Sequence, residues 1–241
     1  VLGSNVANVM LVLGAAALMG AKSQTSEAVK RDSLAVVAAT AFMAFFVISG
    51  EIPLIGGVAM LVALSVYYFY TYSKAIAGED EYEFEESWLS EKISVAIPTC
   101  LIGGLMIWFG AELLVSGSKG IANTFGVSEA IIGLTVVALG TSLPELAVTL
   151  VAGLRGQGGV AVGNILGSNV MNIMGILGIA SIVGNGIIVD SVFIRDIFVV
   201  IMTSGFVVGV FLSGRDFSKT MGSLMILTYL SYITYLSGLL G

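Results

Sequence analysis

Long apolar runs alternate with short polar breaks along the whole chain. A helix that crosses a membrane needs about 20 mostly apolar residues. Eight segments qualify, at about 1–20, 32–50, 53–72, 93–117, 127–154, 160–184, 193–213 and 220–240. None shows the ten-residue alternation of a barrel strand. The breaks are short except 73–92, SKAIAGEDEYEFEESWLSEK, which carries seven acidic residues from Glu79 to Glu91. That stretch predicts an aqueous linker at 78–92 between two membrane units, 1–77 with three spans and 93–241 with five.

Composition agrees with a bilayer as the solvent. Of 241 residues, 57% are hydrophobic and 11% charged, against roughly 25% charged in soluble domains. The 31 glycines suit close helix packing in lipid. With no histidine and a single cysteine, Cys100, imidazole metal sites, internal disulfides and iron–sulfur ligation are excluded. A net charge of −6 offers no footprint for nucleic acid. No nucleophile is paired with a base and no nucleotide-binding loop is present, so the chain reads as a non-enzyme without a cofactor. Loop charge sets an orientation: eight basic residues (Lys22, Lys30, Arg31, Lys74, Lys92, Arg155, Arg215, Lys219) share one side, and Lys119 and Arg195 the other. This bias places the acidic linker in the cytoplasm of a multi-pass plasma-membrane protein.

The chain also repeats itself. Residues 1–20 (VLGSNVANVMLVLGAAALMG) and 165–184 (ILGSNVMNIMGILGIASIVG) share eleven of twenty positions at an offset of 164. The same offset pairs Arg31-Asp32 with Arg195-Asp196 and Ser49-Gly50 with Ser213-Gly214. With five spans between their starts, the two copies run in opposite directions, an arrangement that points to a secondary transporter with its site between the repeats. The second copy is preceded by two further spans and the first is not. The expectation is therefore a ten-span protein of inverted five-helix halves, of which this all-α chain holds about eight spans and lacks the first two.

One apolar run contains an anomaly. Residues 134–154, LTVVALGTSLPELAVTLVAGL, place Pro144 and Glu145 at membrane depth. Pro144 cannot donate to the Gly140 carbonyl and should kink the helix. A carboxylate at this depth is a functional candidate by default. Ala138, Thr141 and Glu145 share a helix face, with Ser142 beside them. Ser168 and Asn172, four apart, add a hydroxyl and an amide oxygen, and Ser4 and Asn8 repeat that pair. All are oxygen donors, which suits hard cations such as Ca²⁺ or Na⁺ and not soft metals.

Residues 131–178, IIGLTVVALGTSLPELAVTLVAGLRGQGGVAVGNILGSNVMNIMGILG, resemble the second signature repeat of the sodium/calcium exchangers, within the cation/calcium antiporter superfamily. GSNVANVMLVLG at 3–14 resembles the tail of the first. The resemblance implies mid-membrane cation binding and exchange of Na⁺ for Ca²⁺ by alternating access. Its implied ligands are the Ala138 carbonyl, Thr141, Ser142 and Glu145, with Ser168, Asn169, Asn172, Ser4 and Asn8; a second carboxylate is expected from the missing spans. Asn172 stands where potassium-dependent relatives carry Asp, and the Gly-Asn-Ala-x-Glu pattern of the proton branch is not matched, which favours Na⁺. Proton or potassium coupling, a passive cation channel and a non-transporting membrane subunit remain as alternatives.

Overall fold

The computed structural model describes residues 1–20, 26–78, 92–124, 138–190 and 193–236. The acidic linker at 79–91 and the first part of the fifth expected span, 127–137, lie outside the described residues. The described chain is nearly all helix: α1 Leu2–Leu18, α2 Glu27–Ser49, α3 Leu54–Ile76, α4 Ile93–Thr124, α5 Ala138–Thr141, α6 Leu143–Leu154, α7 Gly158–Val183, α8 Phe193–Leu212 and α9 Lys219–Leu236. Among these, α2, α3, α4 (to Ile121), α7 and α8 are long and apolar enough to cross a membrane, while α1 and α6 are shorter apolar helices. Two short strands, β1 Glu51–Ile52 between α2 and α3 and β2 Ile187–Ile188 between α7 and α8, pair antiparallel, with Glu51 opposite Ile188 and Ile52 opposite Ile187.

The helix ends follow local chemistry. Ser26 caps α2 by accepting from the Val29 amide at 3.3 Å, satisfying one otherwise orphaned N–H. Gly50 and Gly214, partners in the repeat, end α2 and α8 at φ of +85° and +67°. A left-handed residue there closes a helix at no steric cost only when it lacks a Cβ.

The fold is built on a two-fold relation. Helices α2 and α8, which are repeat partners, pack against each other at the centre. Each remaining first helix then crosses the third helix of the other copy: α1 against α9, and α7 against α3. Both crossings bring backbone to backbone. A Cβ built on Gly57 of α3 would stand 2.7 Å from the Gly178 carbonyl oxygen, and one on Gly222 of α9 would stand 2.6 Å from the Gly14 carbonyl oxygen. Such approach is the use of small residues in membrane helices.

These contacts revise the repeat. Gly14 and Gly178 are 164 apart, but their partners Gly57 and Gly222 are 165 apart, as are Met60 and Met225, and Tyr67 and Tyr232. The reason lies in the preceding loops. Three residues, 51–53, separate Gly50 from α3, whereas four, 215–218, separate Gly214 from α9. The ungapped offset therefore holds through the second helix of each copy and slips by one in the third.

The buried core runs through the same crossings and includes Val6, Val9, Val36, Met43, Met60, Ile165, Ile173, Ile197 and Phe211. By contrast, the apolar window of α4 contains no buried residue. Gly140 is where α4 meets α5, because a Cβ there would strike the Val115 side chain.

Candidate cation site

Both first helices change pitch in the middle. Ala7–Val12 of α1 and Met171–Ile176 of α7 are single π-helical turns, and their bounds differ by the repeat offset of 164. In α1 the Leu13 amide reaches back five residues to the Asn8 carbonyl; in α7 the Leu177 amide does the same to the Asn172 carbonyl. Single π turns concentrate at functional sites. Here each one holds a candidate asparagine.

The two π-bulged helices meet through those side chains. Asn8 Nδ2 donates to Ser168 Oγ at 3.3 Å and to Asn169 Oδ1 at 3.1 Å. Its repeat partner Asn172 donates through Nδ2 to Ser4 Oγ at 3.4 Å. The Asn8–Ser168 and Asn172–Ser4 bonds are thus images of each other under the two-fold relation.

Pro144 and Glu145 enter from a broken helix. The expected kink is a full interruption: α5 ends at Thr141, Ser142 lies between helices with φ of −99° and ψ of 0°, and α6 begins at Leu143. Pro144 falls in the first turn of α6, where its missing N–H costs nothing. Glu145 occupies that same turn, at the helix end whose dipole favours a carboxylate. Ser168 Oγ donates to Glu145 Oε1 at 2.8 Å. A continuous path, Asn8 to Ser168 to Glu145, therefore links the first copy to the carboxylate of the second.

Several polar atoms of these residues are buried without a hydrogen-bond partner, Glu145 Oε2, Ser142 Oγ, Asn8 Oδ1 and Asn169 Nδ2, and so is Asn5 Oδ1 on α1. Leaving a buried polar group unmatched costs about 1–3 kcal/mol. Four of these five atoms are oxygens, and Asn8 Oδ1 and Glu145 Oε2 belong to the two residues bonded to Ser168. Among the described residues no three acidic, cysteine or histidine side chains converge. The donor set is therefore one carboxylate with neutral hydroxyl and amide oxygens, the set that suits a weakly held hard cation rather than a soft metal.

The expected residues do not all share one bonded cluster. Glu145, Ser168, Asn8 and Asn169 are joined by hydrogen bonds, and Asn172 with Ser4 form the second, symmetric link. Ser142 is buried at the helix break beside them. Thr141 shares with Ser4 the wall of a cavity of about 450 Å³. Ala138 opens α5 and can offer only its carbonyl. Two further asparagines lie outside the expected set. Asn5, 1% exposed, is the repeat partner of Asn169, so the repeat itself carried the signal for it. Asn164 donates to the Glu145 carbonyl oxygen at 3.3 Å and to Thr149 Oγ1 at 3.1 Å; its spacing of four from Ser168 was visible in the sequence.

Known proteins share this fold. The solved sodium-calcium exchanger NCX_Mj, from a study of extracellular ion exchange and induced binding-site occlusion, superposes with a TM-score of 0.79 at 28% identity, over 97% of this chain and 74% of that one. The inner membrane protein YrbG of Escherichia coli is 31% identical over 216 residues, 84% of this chain and 65% of the relative. The sodium/calcium exchanger MaX1 of Methanosarcina acetivorans is 40% identical over 90 residues, 37% of this chain and 26% of the relative. The chain thus spans less than two thirds of the length of these curated relatives. The sequence model described as sodium/calcium exchanger protein matches residues 1–73 and 95–238, on either side of the acidic stretch. The chain is a multi-pass integral membrane protein with the NCX_Mj fold, and it belongs to the sodium/calcium exchanger protein family.

Proposed function

We propose that the protein is a secondary antiporter that exchanges Na⁺ for Ca²⁺ across the membrane by alternating access. The observation that carries this reading is the set of buried, unpartnered oxygens around Glu145, at the place where two symmetry-related π-bulged helices cross. A cation entering there would take Glu145 Oε2, Ser142 Oγ and Asn8 Oδ1 as ligands, with Thr141, Ser168, Asn169, Asn172, Ser4 and the Ala138 carbonyl as the further candidates. Ca²⁺ takes about 6–8 oxygens at ~2.3–2.6 Å. The two-fold relation calls for a counterpart of Glu145 near Ser4, and a segment outside these 241 residues would supply it.

The electrostatics support antiport over free passage. A lone buried carboxylate is costly to carry through the membrane interior, whereas one neutralised by Ca²⁺ or by Na⁺ is not. The loaded site moves and the empty one stays. Asn172, neutral at its π turn, keeps the charge to be matched low and supports Na⁺ as the counter-ion. We place the protein in the plasma membrane with the acidic linker in the cytoplasm, as the loop charges suggest; the relative YrbG is named for the inner membrane.

The test is Ca²⁺ uptake into sealed vesicles carrying the full-length protein. Vesicles loaded with Na⁺ and diluted into Na⁺-free medium should take up Ca²⁺, and K⁺-loaded vesicles at matched pH should not. Glu145→Gln should reduce uptake by at least two orders of magnitude. Uptake that ignores the Na⁺ gradient would mean a channel or another coupling ion, and uptake retained in the Gln variant would remove Glu145 from the site.

A further inference from the structure

We infer that Asn164 is a positioning residue for the cation site, acting by holding the main chain of Glu145 against α7. This rests on the reading of Glu145 as a cation ligand.

The need for such a residue follows from the break at Ser142. Where α5 and α6 are separate helices, the first turn of α6 has no preceding helical turn to fix it, and its N–H groups lack intrahelical partners. Glu145 sits in that turn. Its carboxylate alone would be a poor anchor, because Ser168 holds only Oε1 and a bound cation competes for that same group. The main chain must be fixed by something that does not take part in ion binding.

Asn164 meets that requirement. Its Nδ2 donates to the Glu145 carbonyl oxygen at 3.3 Å and to Thr149 Oγ1 at 3.1 Å. Thr149 lies one helical turn beyond Glu145 and is fully buried, so the amide ties together the two ends of the turn that starts at Glu145. Asn164, Ser168 and Asn172 follow one another at intervals of four on α7, which sets them along one stripe of that helix. Along the stripe the tasks divide. Asn164 holds the backbone of the Glu145 turn, Ser168 holds its carboxylate, and Asn172 reaches Ser4 in the other copy. The consequence is that α6 and the first half of α7 act as one body, and that the distance from Glu145 to the α1 ligands is set by a bond lying outside the ion's coordination sphere.

The test uses purified full-length protein in detergent. Calcium affinity is measured by calorimetry, and the melting temperature is measured without Ca²⁺. Wild type, Glu145→Gln, Asn164→Leu, Thr149→Val and Thr149→Ser are compared. The expected pattern is no measurable Ca²⁺ binding in Glu145→Gln and a weakening of about tenfold in Asn164→Leu, the size of one to two lost hydrogen bonds. Thr149→Val, which leaves Asn164 its bond to the Glu145 carbonyl, should weaken binding about threefold. Thr149→Ser keeps the accepting hydroxyl and should bind as wild type does. Melting temperatures without Ca²⁺ should stay together. A purely structural role would instead lower the melting temperature and leave affinity alone. Wild-type affinity in Asn164→Leu, with Glu145→Gln silent, overturns the inference and leaves the site intact. Should Asn164→Leu not fold, equal affinities in Thr149→Val and Thr149→Ser overturn it as well. Full Ca²⁺ binding by Glu145→Gln, or none by wild type, removes the cation-site reading itself and this inference with it.

Discussion

The two copies of GSNVxN carry the same side chains into the same crossing, yet their serines do different things. Ser168 donates to a carboxylate, Glu145 Oε1 at 2.8 Å, whereas Ser4 donates to its own helix, the Val1 carbonyl at 2.9 Å. The amide bonds that arrive at them, from Asn8 to Ser168 and from Asn172 to Ser4, are nearly equal at 3.3 and 3.4 Å. The repeated cassette thus supplies a symmetric frame of hydroxyls and amides. The charge comes from the helix before it: α6 brings Glu145 to the second copy.

The strongest way to break this comparison is to attack the frame. Gly57→Ala and Gly222→Ala each drive a methyl group against main-chain oxygen on the partner helix, at 2.7 and 2.6 Å. Neither oxygen can rotate aside, so each should cost about 1–3 kcal/mol, seen as a lower melting temperature in detergent. Symmetry predicts similar losses. A harmless Gly222→Ala beside a damaging Gly57→Ala would show that the crossings are not equivalent.

A smaller effect tests the two serines. Ser168→Ala removes the donor to Glu145 and leaves both carboxylate oxygens without a bond from the described residues, so half-maximal Ca²⁺ for uptake should rise about tenfold, as for a charge-assisted hydrogen bond. Ser4→Ala should raise it by a similar amount in the full-length protein, where the proposed counterpart of Glu145 would meet Ser4 as Glu145 meets Ser168. A shift from Ser168→Ala alone, in uptake assays on the full-length protein, would mean that the charge reaches only the second copy.

The smallest effect lies at the helix starts. Tyr67 donates to Asp32 at 3.0 Å, where Asp32 also meets Arg31 at 3.0 Å, and Tyr232 donates to Asp196 at 3.3 Å. Arg195 turns instead to Tyr235, donating to its hydroxyl at 2.6 Å. Each link ties the second helix of a copy to its third. Tyr67→Phe and Tyr232→Phe should each cost about 0.5–1.5 kcal/mol, and the shorter bond predicts the larger loss for Tyr67. A larger loss for Tyr232, by thermal unfolding in detergent, would reverse that ranking.

Much of this was legible from residue types, because lipid leaves few choices. Apolar runs longer than a bilayer is thick must be helices, since no other backbone can satisfy itself there. Glu145 announced itself by its cost, and Ser4, Asn8, Ser168 and Asn172 by their duplication. What was hidden depended on geometry that residue types do not encode. The π turns at Ala7–Val12 and Met171–Ile176 arise from a five-residue hydrogen-bond register, which the same amino acids could forgo. The slip from 164 to 165 sits in two dissimilar loops, and Gly57 meeting Gly178 and Gly222 meeting Gly14 fixes it in space. Pro144 was read as a kink because its clash with Gly140 is a local rule; that the chain would start a fresh helix is a matter of how α5 and α6 pack. Asn5 and Asn164 lie outside the expected set, although the repeat pairs Asn5 with Asn169 and a spacing of four sets Asn164 before Ser168.

The account stands on a cation sitting at the oxygens around Glu145. Crystals of the full-length protein soaked with Sr²⁺, an anomalous scatterer that stands in for Ca²⁺, would locate it directly. An anomalous peak is expected near a Glu145 carboxylate oxygen, slightly beyond the ~2.3–2.6 Å of Ca²⁺ because Sr²⁺ is the larger ion, with Asn8 or Ser142 oxygen completing the shell and the peak lost in Glu145→Gln. A strong peak elsewhere in the helix bundle, or one that survives the Gln substitution, would contradict it.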